Sequence, residues 1–212
     1  MPHDYSLSRP ELLTITEGDR TWRGTDQLWY SDDWQQKAGC APTSAALLVS
    51  YLAQTRPACA PLYPSGSWER ADVTALMEEL WQYITPGKHG VYTARHYAKG
   101  LRAFGESKGL VLPVRELDIP RLHLARPTVD QCAAFLRSAL SSDAPIAWFN
   151  QDHGDVKDLD EWHWVTIIAL EEREDGALLC TYLDSGSELT ADFRLWFQTT
   201  QGGALVSVGE TL

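Results

Sequence analysis

The order of patterns along this chain predicts an α+β domain with a largely antiparallel sheet. Two observations carry that prediction. Apolar residues recur at helical spacing through the N-terminal half of the chain, and short runs rich in β-branched and aromatic residues, separated by acidic or glycine-containing turns, fill the C-terminal half beyond Pro145. With 212 residues, 44% of them hydrophobic, the chain can bury one substantial core without disulfides or a structural metal, so a single domain over residues 1–212 is expected.

The elements follow in order. The opening MPHDYSLSRPELL has no basic stretch ahead of an apolar run, so it reads as neither an export signal nor an anchor, and His3 is expected in a frayed end. After Pro42 the apolar positions Ala45, Leu48, Val49 and Leu52 form the stripe of a helix packed on one face, and a proline suits its first turn. Residues 57–67, rich in Pro, Gly and Ser, are expected as a loop. Helical stripes recur at Val73, Leu76, Met77, Leu80 and Ile84 and at Ala94, Tyr97, Ala98 and Leu101, with PGKHG at 86–90 breaking them apart. Thr128 and Gln131 make a capping-box pattern ahead of Val129, Cys132, Ala133, Leu136 and Leu140, which places Cys132 in the core. IAWFN, WHWVTIIAL, ALLCTYLD and ALVSV then read as strands, with EEREDG at 171–176 as the turn between the second and third.

Charge and cysteine content narrow the functional classes. There are 18 Lys plus Arg against 29 Asp plus Glu, a net charge of -11, so the basic footprint of a nucleic-acid binder is absent. The acidic balance favours a neutral or cationic substrate. No run of about 18 apolar residues occurs, so no membrane insertion is expected. The four cysteines, 40, 59, 132 and 180, form no CxxC pair, which makes a reducing cytoplasm the expected compartment. Nothing in the composition calls for a cofactor, and oligomeric state is not addressed by it.

Cys40 is the candidate nucleophile. A thiol becomes useful for acyl transfer when its pKa drops from about 8.5, which a helix N-terminus and a neighbouring imidazolium both promote. Cys40 stands two residues before Pro42, at the start of a helix whose free N–H groups point towards the sulfur and any oxyanion formed beside it. Gly39 would allow close approach of a substrate backbone, and Gln35 or Gln36 could supply a side-chain donor to an oxyanion. A thiol also needs a base, and His163, opening the apolar strand WHWVTIIAL, is the histidine that a rigid element could present at a cleft. Asp184 ends the next strand. With a four-residue loop over 172–175, Asp184 would stand directly opposite His163 and orient its ring, whereas a one-residue slip would turn one side chain to the other face. Trp148 and Trp162, near His163, are candidate walls of a substrate groove, with Trp164 beside them.

Taken together, a glutamine at 35 or 36, GCAPTSAALLVSYL with Cys40, HWVTI with His163 and YLDSG with Asp184 make this chain resemble the papain-like cysteine peptidases, nearest the bacterial branch related to the double-glycine leader peptidases. The resemblance implies a helix carrying the nucleophile packed on an antiparallel sheet carrying the base, with a peptide or amide-containing substrate between them. It assigns Cys40 as nucleophile, His163 as general acid/base, Asp184 as orienting group and Gln35 as oxyanion donor. Gln35 lies about one residue nearer the nucleophile than the family pattern has it, and residues 57–127 have no counterpart in that pattern. Three alternatives stand beside a hydrolase: an acyltransferase on the same triad, a metal-dependent hydrolase using His153, Asp155 and His163, and a catalytically silent papain-like binding module.

Overall fold

The computed structural model describes residues 3–209. Nine strands are present among these residues: β1 (His3–Ser6), β2 (Thr14–Glu17), β3 (Arg20–Arg23), β4 (Val114–Ile119), β5 (Ile146–Asn150), β6 (His163–Glu172), β7 (Leu178–Asp184), β8 (Ser187–Asp192) and β9 (Gly203–Val208). Six α-helices join them: α1 (Asp33–Ala38), α2 (Cys40–Thr55), α3 (Arg70–Trp81), α4 (Ala94–Ser107), α5 (Val129–Ser141) and α6 (Phe193–Thr199). The fold is α+β, with seven strands in one antiparallel sheet ordered β4-β9-β5-β6-β7-β8, and β1 also on β6. β2 and β3 form a separate hairpin.

β6 is the spine of the sheet. Its first half pairs with β5 and its second half with β1, while β7 runs along the opposite edge. Both faces are covered, which explains why all five residues of β5 are buried and why IAWFN lacks a polar alternation. Ala147, Phe149, Trp164, Ala204 and Val206 meet α2, α3 and α4 on one face. Ile146, Trp148, Val165, Ile167 and Leu205 meet α5 and α6 on the other.

The helices form where their stripes require them. α2, expected to pack on one face, is instead buried at every position from Cys40 to Leu52, because it is a central helix enclosed on all sides. α5 starts with a complete capping box, Thr128 and Gln131 each satisfying the other's backbone N–H. Cys132 is fully buried on α5, and burial pushes its thiol up to about 12, as expected of a core cysteine. Two local readings differ from the expectation. Within 57–67, Pro57–Leu62 winds into a 3-10 helix started by Pro57. His3, expected in a frayed end, opens β1 against Glu172 because its backbone completes the far edge of β6, while residues 1 and 2 lie outside the described ones.

Trp148 is a correction to the groove assignment. It is wholly buried, in edge-on contact with Tyr182 and Trp196 and tilted against Phe193, because its place on β5 directs it away from Phe149 and into the α5–α6 side of the sheet. Trp162 is 54% exposed. Trp148→Ala should therefore cost about 3–5 kcal/mol of stability in urea unfolding, whereas Trp162→Ala should stay within about 0.5 kcal/mol of the parent.

Candidate active site

Cys40 is the first residue of α2, with Gly39 as its cap. The Thr43 N–H is taken by the Gly39 carbonyl at 3.0 Å and Pro42 has no N–H, so the amides of Cys40 and Ala41 are the donors without a partner inside α2. Gly39 itself is buried and has an ordinary φ of -86°. A Cβ there would lie 2.4 Å from the Gln35 carbonyl and 2.6 Å from the Tyr30 ring. Its expected role, exposing backbone to a substrate, is corrected: glycine is required because α1 turns into α2 against Tyr30 with no room for a side chain.

His163 opens β6 opposite Asn150, immediately after Trp162, whose φ of 55° turns the chain into the strand. Asp184 ends β7 at a two-residue turn into β8, Ser185 and Gly186, with φ of 47° and 73°, the left-handed pair of a type I′ hairpin. His163 Nε2 and Asp184 Oδ1 are 2.7 Å apart, and the two side chains are only 12% and 14% exposed. Cys40 lines the same small void as the imidazole, and its thiol is one of the groups that raise the ring's pKa. With Nε2 engaged by Asp184, Nδ1 is the ring nitrogen left for the sulfur.

The register that brings His163 and Asp184 together differs from the expected one. The turn is a three-residue loop, 174–176, closed by the Arg173 N–H to the Ala177 carbonyl at 3.0 Å, with Gly176 at a φ of 88°. From it Glu172 pairs with Leu178 and Ala169 with Thr181, and continuing so would set Asp184 opposite Thr166, on the wrong side for His163. A bulge between Ile167 and Ala169 inserts one residue into β6, so that Ile167 pairs with Tyr182 and Thr166 with Leu183. The same pairing carried one residue further sets Asp184 level with Val165, on the side of His163 and diagonal to it.

Burial favours the neutral ring, yet hydrogen bonds to Asp184 and Cys40, and the charges of both, outweigh it and raise His163 from 6.5 to about 10. The imidazolium is therefore the resident form at neutral pH. Because the folded value lies above the unfolded one, the stability this charge contributes is fully present below about pH 6.5 and is lost as pH rises through about 10.

The glutamines are placed otherwise than expected. Gln35 donates its amide to Glu78 of α3 at 2.7 Å, and Gln36 donates to the Tyr30 carbonyl at 2.7 Å, so α1 carries both amides away from the sulfur. The glutamine at the site is Gln27, which borders the same small void as Cys40, His163 and Asp184. Its Nε2 donates to the Gln36 carbonyl at 2.9 Å, and its Oε1 is buried without a protein partner among the described residues. Gln27 lies thirteen residues ahead of Cys40, and no local pattern in DQLWY marks it.

That void holds about 10 Å³, the space of one water, so nothing larger reaches the sulfur from beneath. On its other side Cys40 borders a cleft of about 290 Å³ walled by Trp34 and Trp162. Of the aromatic residues singled out in the sequence, Trp162 reaches this cleft, whereas Trp164 is buried against Tyr97 and Phe149 in stacked contacts of 4.4 and 5.2 Å. His153 turns to the Gly154 carbonyl and to Glu161, away from His163, and among the described residues no three metal-ligating side chains converge.

Cys40, His163 and Asp184 thus line one small void on an α+β scaffold, and Cys40 also borders the open cleft. Among solved structures, the chain aligns with a double glycine motif protease from an AMS/PCAT transporter, crystallised with its leader peptide, over 93% of this chain and 98% of that one, at 11% identity and a TM-score of 0.40. No protein-family model and no curated protein matches the sequence. No helix among the described residues is long and apolar enough to cross a membrane.

Two outcomes are expected here. The His163 ring, followed by NMR, should titrate near pH 10 in the parent, and its midpoint should fall towards 6.5 in Asp184→Asn, which also flattens the decline of stability between pH 6.5 and 10. Gly39→Ala should cost about 1–3 kcal/mol in chemical unfolding, because the contacts it would make are with backbone and a buried ring.

Proposed function

We propose that the protein is a cysteine-dependent hydrolase of papain-like architecture that cleaves a peptide or amide bond through a thioester. The observation that carries this reading is the 2.7 Å bond between His163 Nε2 and Asp184 Oδ1, with Cys40 lining the same small void as that ring. A helix bearing the nucleophile and a sheet bearing the base support it, as does the cleft ending at the sulfur.

In this mechanism the Cys40 sulfur adds to the carbonyl carbon, and the carbonyl oxygen becomes an oxyanion at the start of α2. The amides of Cys40 and Ala41 face it with the positive end of the helix behind them. Gln27 replaces Gln35 as the side-chain donor, its amide leaving the Gln36 carbonyl for the oxyanion. Collapse breaks the C–N bond, and His163 delivers its proton to the departing amine, leaving the acyl group on sulfur. Water then attacks the thioester while His163 takes its proton, the C–S bond breaks, and the carboxylic acid departs with the Cys40 thiolate and the His163 imidazolium restored. Asp184 holds the ring in one tautomer and one orientation throughout.

The test is a peptide-library digestion read by mass spectrometry, together with alkylation of Cys40. Cys40 should react with iodoacetamide at pH 6 on the order of tenfold or more faster than free cysteine, and His163→Ala should remove that advantage. Equal rates in the parent would overturn the nucleophile. Cys40→Ala should abolish cleavage, and Gln27→Ala should lower kcat about 100-fold to 1000-fold, with Gln35→Ala close to the parent.

A further inference from the structure

The cleft beside Cys40 carries a charge opposite to that of the chain. Lys37, near the C-terminal end of α1, and Lys88 and His89, at the tip of the turn closed by Gly87 and Gly90, all line it, and no Asp or Glu does. That is an unusual lining in a chain with 29 acidic and 18 basic residues. Neither lysine has a carboxylate within ion-pair reach among the described residues. Among neighbouring acids, Glu78 accepts from Gln35, Glu161 faces His153 and Asp184 holds His163, while Asp33, four residues before Lys37 on α1, stays outside the cleft lining. A lysine in a helix's last turn has an ordinary reason to be there, since it faces the negative end of the helix dipole. Lys88 stands on a turn with no helix end to serve.

The walls of the cleft are equally unlike ordinary surface. Trp34 is 47% exposed and Trp162 is 54% exposed, the latter held in the left-handed region at a φ of 55°, where a bulky residue is strained. Two indole faces flanking two ammonium groups suit a ligand with an apolar or planar stem and an anionic end.

We propose that this cleft is a specificity subsite for a substrate residue bearing a carboxylate, which Lys37 and Lys88 bind between Trp34 and Trp162 next to the bond attacked by Cys40. The substrate class is then an acidic peptide. This assignment rests on the reading of Cys40 as the nucleophile, and its test can fail independently of that reading.

Two alkylators of similar size and opposite demand on charge probe the cleft without a substrate. The rate ratio of iodoacetate to iodoacetamide at Cys40, read from the mass of the peptide containing it, should exceed that of free cysteine. Lys37→Glu with Lys88→Glu should lower the ratio about tenfold, Lys37→Gln with Lys88→Gln by less, and 0.5 M salt should lower it in the parent. A ratio unmoved by the double charge reversal overturns the subsite. In the peptide digestion, substrates with Glu beside the scissile bond should exceed those with Gln in kcat/KM, and the double reversal should invert the order of Glu against Lys. Equal cleavage of Glu and Gln peptides by the parent removes the subsite and leaves the nucleophile standing. Slow alkylation of Cys40 by both reagents removes the nucleophile, and the ratio of the two rates still reports the sign of the cleft.

Discussion

The site depends on a matter of parity in β6. Asp184 and His163 come from neighbouring strands, and side chains alternate faces along each strand, so a shift of one residue separates them completely. One extra residue between Ile167 and Ala169 sets the parity that lets Asp184 reach Nε2 at 2.7 Å. A bulge in the middle of a central strand disrupts the ladder locally and is retained where it re-aims a side chain. Here it aims a carboxylate at the ring that faces Cys40. The remaining chemistry follows from that contact, since an imidazole that is nearly buried stays protonated only while hydrogen bonds and opposite charge outweigh its desolvation.

The other half of the site is fixed by packing. α2 is buried along thirteen consecutive residues, so it cannot slide or rotate without opening the core on both sides of the sheet. Its first residue is held by Gly39, pressed against Tyr30 and the Gln35 carbonyl, and Tyr97 bonds Ser44 one turn further on at 2.9 Å. Backbone strain is gathered in the same place. Of the three non-glycine residues at positive φ among the described ones, Trp162 precedes His163 and Ser185 follows Asp184. For Ser185 the type I′ turn gives the local reason. For Trp162 the conformation costs on the order of 1–2 kcal/mol, and what it achieves is to leave an indole standing in the cleft while His163 begins the strand.

The elements legible in the sequence are those with one strongly apolar face. The α3, α4 and α5 stripes and the runs in β5, β6, β7 and β9 bury nearly all of their apolar residues, while α2 is buried on every side and not on its stripe alone. β4, with VRELDI, and β8, with SELTAD, carry no apolar run that marks a strand, because each lies at an edge of the sheet and exposes much of its length. α6 is short, and its start is marked by one capping residue, Asp192, whose carboxylate accepts from Arg194 and Leu195. Within the site, Cys40 carried a helix-start signal and His163 a strand-start signal, while the partner of the ring depended on a bulge that no residue type announces. Trp148 and Trp162 could not be told apart by composition, because their difference is which face β5 turns and which φ residue 162 adopts. Gln35 is the glutamine that the family resemblance assigns, but a helical turn sends its amide to Glu78, and Gln27 arrives from a separate segment.

Net charge misleads about the cleft for a related reason. A total of -11 is a sum over the whole surface, and at physiological ionic strength each exposed charge is screened over about 8 Å. An anion far from the protein meets weak repulsion from that sum. Inside a cleft bounded by Lys37 and Lys88 and lined by no Asp or Glu, the local sign prevails, and the low-dielectric walls of Trp34 and Trp162 strengthen it. The acidic exterior and the cationic cleft are thus compatible: the first discourages loose association of anionic polymers across the surface, and the second selects an anionic group small enough to come within one screening length of the sulfur.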